Sequence, residues 1–230
     1  IMLPSLSTPE FTAKVPSTGE EIRFRPFLVK EEKILFFALE SGQTSDIVNA
    51  VKKIFENCIL SDFDFSKLAF FDFEYLFLML RAKSVGETIE LKMKHGKDGC
   101  EYVNEFSINI EDIKVHFTDG HTDKIMLNDD IGVKMKYPTI EGMASYKDQL
   151  DTFSIIRDSI EYVYDQETVY DDFTKDDAEK FLDSLSKTQL EKIAEFFNTM
   201  PKLRHEVKYK CKGCKKNETL LLEGLQSFFT

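Results

Sequence analysis

The chain has 230 residues, 42% hydrophobic and 31% charged, and 30 basic against 41 acidic side chains leave a formal net charge of −11. That length can bury a substantial core without cross-links, and the composition excludes a disordered chain. The negative balance repels phosphate backbones, so no nucleic-acid partner is expected.

Along the chain, "FTAKVPSTGEEIRFRPFLV" reads as a hairpin, with alternating strand residues around the turn cluster Pro16-Ser17-Thr18-Gly19. "KEEKILFFALES" begins a helical region at about Lys30, and Ser41-Gly42 stops it. Thr44 or Ser45 can cap the next helix, whose apolar Ile47, Val51, Ile54, Phe55 and Cys58 recur at helical spacing. Cys58 then falls on the packed face as a buried small thiol. A further helix runs to about Ser84 through "LAFFDFEYLFLML", the densest apolar stretch. At about 13 residues, broken by Asp72 and Glu74, it is too short to span a membrane. Its aromatics keep to no single stripe, as in a central core helix or one covered by another chain.

The middle, "TIELKMKH", "YVNEFSINI", "IKVHFTD" and "GVKMKY", alternates as strands. Helices return with "LDTFSIIRDSIEYVYD", where Phe153, Ile156, Ile160 and Val163 share one side. Thr174 with Asp177, and Ser186 with Gln189, form capping arrangements before the last two helices. "RHEVKYK" and "ETLLLEGL" close the chain as strands. The order predicts one α+β unit over 1–230, with an antiparallel sheet formed by the N-terminal hairpin, middle strands and C-terminal strands, and two segregated helical groups. Its parts are a hairpin at 10–29, a first helical group at 30–84, a strand-rich middle at 87–137, an inserted helical group at 138–200, and a C-terminal CxxC strand segment at 202–230.

Two short segments echo each other. "HGKDGCEYVNEFSINIEDI" and "CKGCKKNETLLLEGL" share Gly-Cys, Asn-Glu, an apolar strand and an acidic residue before Ile or Leu. The alignment sets His95 opposite Cys211 and Cys100 opposite Cys214. The N-terminal stretch lacks a secretion signal, so a reducing cytosol is expected, where four cysteines serve as thiols or metal ligands. His95, Cys100, Cys211 and Cys214 together would supply the four soft donors of a closed structural zinc site. A metal-free turn and a redox pair at Cys211 and Cys214 remain open beside it. No recognisable helix N-terminus is placed to favour the redox thiolate.

Other catalytic signatures are missing. No glycine-rich phosphate loop, HExxH or GxSxG occurs. His116, Asp119, His121 and Asp123 cluster in sequence, but Asp119-Gly120 reads as a hairpin turn. The doublets Asp129-Asp130, Asp171-Asp172 and Asp176-Asp177 cap or solvate element ends. No catalytic residue is assigned.

Several segments, "GEEIRFRPFLVKEEKILFFALESG", "IVNAVKKIFENCIL", "FDFEYLFLMLRAKSVGE" and the closing "YKCKGC…LLLEGLQSFF", resemble the baseplate hub subunit family of T-even-type tailed bacteriophages. The resemblance implies a late viral protein that builds the central hub of a contractile tail as component or assembly factor. It implies no catalytic residues. Expected partners are other phage baseplate and tail hub proteins, with no membrane, in the virion after assembly in the host bacterial cytoplasm. The 21 phenylalanines suit docking through aromatic anchors such as Phe70, Phe71, Phe73, Tyr75 and Phe77, or the terminal Phe228-Phe229. The rival readings are a thiol-disulfide oxidoreductase using Cys211 and Cys214, and a zinc-ribbon adaptor.

Overall fold

Alternation in "FTAK" and "EIRF" produces the first structural unit. In the computed structural model, which describes residues 6–42, 44–145 and 152–228, strands β1 (Phe11–Lys14) and β2 (Glu21–Phe24) pair antiparallel, Phe11 opposite Phe24. Gly19 closes their turn at φ 73°, left-handed backbone that a Cβ would strain. Helices α1 (Val29–Ser41), α2 (Thr44–Cys58) and α3 (Phe70–Ser84) follow. The start of α1 is held by Glu31. Its fully buried carboxylate accepts from the Leu28 N–H at 2.9 Å and pairs with Arg25 at 3.0 Å. Gly42, left-handed at φ 68°, ends that helix.

Helix α3 is apolar on most of its circumference, and the structure covers it on more than one side. Phe73, Leu76, Phe77 and Leu80 join a core with the N-terminal hairpin and α2. Leu78 and Ala82 point into a second core with the strands that follow. Phe71 meets Tyr137 edge-on at 5.1 Å. Phe71, Phe73 and Phe77 are therefore buried and Phe70 and Tyr75 half-buried, so this set does not form the expected docking face. Phe228 is buried as well, and Phe229 lies outside the described residues. Burial won because α3 is the element against which two cores form.

The second core lies between two hairpins. One is β3 (Thr88–Lys94) with β4 (Val103–Asn109). The other is β10 (Lys202–Lys210) with β11 (Asn217–Glu223). Strand β5 (Lys114–His116) adds to β10, with Leu203 opposite Val115, so the late strands rejoin the middle of the chain. Phe106 and Tyr209 meet edge-on across the gap at 4.9 Å.

Between β5 and β10 runs a third group with its own core. Strands β6 (Lys124–Met126), β7 (Gly132–Met135), β8 (Ile160–Tyr164) and β9 (Val169–Tyr170) make an antiparallel sheet in that order. Helices α4 (Ile140–Ser145), α5 (Thr152–Asp158), α6 (Lys175–Asp183) and α7 (Lys187–Thr199) complete the α-helices among the described residues. Both expected capping boxes form, at Thr174 with Asp177 and Ser186 with Gln189.

The fold is α+β as expected. The one antiparallel sheet expected from the N-terminal hairpin, middle strands and C-terminal strands is instead divided, among the described residues, into four antiparallel sheets. The hairpins pack by their faces around α3 and around a separate third core instead of pairing edge to edge. Two local expectations change. The helix expected through Val163 stops at Asp158, and β8 takes over, with Val163 opposite Val133. Ile160, Tyr162, Val163 and Tyr164 are β-branched or aromatic, and pairing with β7 decides between two periodicities the stretch satisfies. Asp119-Gly120 does form a turn, but β5 and β6 on either side join different sheets, so it makes no hairpin.

Two acids on α3 are buried and used. Asp72 accepts from the Ser17 N–H at 2.9 Å and from its hydroxyl at 2.5 Å, tying the first hairpin to α3. Glu74 accepts from the Leu225 N–H at 2.8 Å, and burial raises its pKa from the ordinary 4.5 to about 7 against that bond. A carboxyl with a raised folded pKa stabilises the fold fully below pH 4.5 and loses that contribution as pH rises through about 7. Urea unfolding of wild type is expected to weaken over this window relative to Glu74→Gln. The gap should reach on the order of 2–3 kcal/mol above neutrality, and a constant gap would count against the assignment. Phe77→Ala should cost about 3–5 kcal/mol in the same assay, because its ring is almost fully buried between α3 and its neighbours.

Candidate metal centre

The two hairpins of the second core are built alike. His95 is the first residue after β3, and Cys211 the first after β10. Cys100 stands three residues before β4, and Cys214 three before β11. Each hairpin then runs into a 3-10 turn, at Ile110–Asp112 and Leu225–Phe228. The faint echo in the sequence is thus a structural correspondence, with two knuckles meeting tip to tip.

Each knuckle is set by its own backbone. In the first, the His95 N–H donates to the Tyr102 carbonyl, Gly96 N–H to Cys100, and Cys100 N–H to Lys97, each at 2.9 Å. Gly96, Asp98 and Gly99 adopt φ of 66°, 52° and 74°, which lets the chain reverse this tightly. In the second, Cys211 N–H donates to the Lys216 carbonyl and Lys215 N–H to Cys211, again at 2.9 Å. Gly213 is where the two touch. A Cβ there would lie 2.6 Å from Tyr102 Cβ and 3.2 Å from Cys100 Sγ, so a side chain would force the knuckles apart.

All four expected residues come together. Their donor atoms lie within 4.8 Å of one another. Cys100 Sγ is 3.8 Å from Cys211 Sγ, and Cys214 Sγ is 3.5 Å from His95 Nδ1. The sulfur separation is far beyond the roughly 2.05 Å of a disulfide, and all four cysteines of the chain are free thiols. The set could hold a metal ion through three sulfurs and one imidazole.

The surroundings favour thiolate at two positions. Burial pushes the Cys211 thiol up, but hydrogen bonds from the Asn104 amide and the Cys214 and Gly213 N–H groups reverse this, lowering its pKa to about 6. The Tyr102 N–H and His95 lower Cys100. Cys214 is raised: the Lys216 N–H opposes the shift, and burial with the neighbouring sulfurs outweighs it. Cys58, far from this cluster in the first core, is pushed up to about 11 by burial and stays an inert thiol.

Two outer residues escaped sequence reasoning. Asn104 is buried and bridges the knuckles, donating to Cys211 Sγ at 3.5 Å and accepting from the Lys212 N–H at 3.0 Å. Glu218 faces His95 Nε2 at 3.3 Å and pairs with Lys97 at 2.7 Å. Both belong to the repeated Asn-Glu pairs. One hairpin turns its Asn inward and the other its Glu, a choice no pairwise motif encodes. The other histidine cluster disperses: His121 bonds Thr199 and Tyr137, stacks on Tyr137 and meets Phe196 at a tilt, while Asp123 pairs with Lys134.

Neither a curated protein nor a solved structure matches the chain. The family model described as T4 bacteriophage base plate protein matches residues 8–230. With nearly the whole sequence inside that match, the chain belongs to the T4 bacteriophage base plate protein family.

Proposed function

We propose that this chain is a non-enzymatic structural or assembly protein of the central hub of a contractile-tail baseplate, and that it works by docking to other baseplate and tail hub proteins. Family membership supports a place in the virion tail among baseplate proteins. Assembly in the host bacterial cytoplasm belongs to the same reading. So does the single unit over 1–230, with its inserted helical group at 138–200.

One surface carries the docking proposal. Helix α1 buries Glu31 and Ala38 but leaves Val29, Phe36, Phe37 and Leu39 each more than half exposed. Phe36 and Phe37 meet edge-on at 5.9 Å, a preformed aromatic pair of the kind that anchors interfaces. The occupant is a neighbouring baseplate subunit, whose apolar surface would cover this face.

The four-residue cluster serves this role as a structural zinc site at His95, Cys100, Cys211 and Cys214. Four protein donors leave no position for a substrate or a reactive water. A thiol-disulfide enzyme needs a thiolate that is both accessible and stabilised, whereas the stabilised Cys211 is fully buried and the half-buried Cys214 has its pKa raised. A nucleic-acid adaptor needs a basic surface, whereas the chain carries a net charge of −11 and two of the knuckle lysines pair with acids, Lys97 with Glu218 and Lys216 with Asp98. The broad cleft beside the first hairpin is likewise spent on internal pairs, Asp123 with Lys134 and Asp158 with Lys175.

Co-purification with the other tail proteins tests the reading. Phe36→Asp with Phe37→Asp should reduce capture of a baseplate partner by about tenfold or more at unchanged thermal stability. A wild-type chain that stays alone beside all of them would overturn it.

A further inference from the structure

Resting on the zinc reading above, we propose that His95 ligates through Nδ1, and that Glu218, itself held by Lys97, positions the ring by accepting the Nε2 proton. The distances carry the choice of nitrogen. With Zn–S near 2.3 Å and Zn–N near 2.0–2.1 Å, a tetrahedral centre places two sulfurs about 3.8 Å apart and a sulfur and a nitrogen about 3.6 Å apart. Cys100 Sγ to Cys211 Sγ is 3.8 Å, and Cys214 Sγ to His95 Nδ1 is 3.5 Å. Two opposite edges of the tetrahedron are therefore already at their bonded lengths, with Nδ1 at the nitrogen corner.

That assignment explains the other side of the ring. Nε2 is buried and makes no well-formed hydrogen bond, although Glu218 Oε1 stands 3.3 Å away. The His95 side chain is 1% exposed and that of Glu218 16%, so water does little to satisfy either. Once Nδ1 gives its lone pair to the metal, the ring must carry its proton on Nε2, facing this carboxylate. Lys97 Nζ, 2.7 Å from Glu218 Oε2, fixes the other carboxylate oxygen and offsets its charge. A carboxylate on the far nitrogen of a ligating histidine sets tautomer and ring angle and raises ligand basicity. Lys97 lies in the first knuckle and Glu218 on β11, so the pair also crosses between the hairpins.

The test uses the full chain loaded with zinc. Metal analysis should give one zinc per chain. Long-range proton–nitrogen correlation spectra should show Nδ1 bonded to metal and Nε2 protonated. In competition with a chelator, Glu218→Ala should weaken zinc affinity 10–100-fold, and Lys97→Ala by less. Glu218→Gln, which keeps an acceptor, should restore part of the loss. Glu101→Ala is the control: Glu101 pairs with Lys94 in the same knuckle, at 2.8 Å, without facing the ring. A chain that takes up no zinc, or takes iron instead, overturns the zinc reading and this inference with it. Zinc bound through Nε2, or a Glu218→Ala affinity equal to that of Glu101→Ala, overturns this inference alone.

Discussion

Helix α3 is the constraint on which the remaining structure rests. A helix apolar on most sides cannot be satisfied by one layer, so hairpin and helices gather on one side and the paired hairpins on the other. Its two inward acids then determine what touches it. Asp72 binds the turn at Ser17, and Glu74 binds the start of the last 3-10 turn at Leu225. Buried carboxyl groups need such partners, and each partner fixes a distant segment of chain.

Once α3 has placed the two hairpins face to face, their tips meet. Cys100 and Cys211, 111 residues apart in sequence, come within 3.8 Å. Closing so long a loop is where a metal clip adds most, because the unfolded chain loses the most freedom. The group from β6 to α7 lies within that loop and keeps its own core. A metal bound at the knuckles would bear on the hairpins directly, and on the third group through its two connections to them and through α3, where Phe71 meets Tyr137.

An abundance of phenylalanine has two uses in this molecule. Most rings named in the cores are internal cement, as the edge-on contacts of Phe55 with Phe65 and Phe73 illustrate. Phe36 and Phe37 differ because α1 packs on the body by its opposite side, leaving them outward. For a member of a baseplate family, an outward aromatic pair on a helix is a surface suited to the docking proposed above.

Local chemistry was readable from the residues themselves. The first turn at Gly19, the stop at Gly42 and the boxes at Thr174 and Ser186 each depend on atoms a few positions apart, and so do both knuckles. The echo between the knuckles even matched His95 with Cys211. What spacing could not decide was anything set by a partner far along the chain. The β8 stretch suits helix or strand until β7 pairs with it, and the aromatics of α3 suit an interface until two cores enclose them. The inward turn of Asn104 and Glu218, and the contact at Gly213 that brings two knuckles into one centre, come from packing between hairpins. Hydrogen-bonded turns are short-range and written in consecutive residues, whereas burial is a property of the whole folded body.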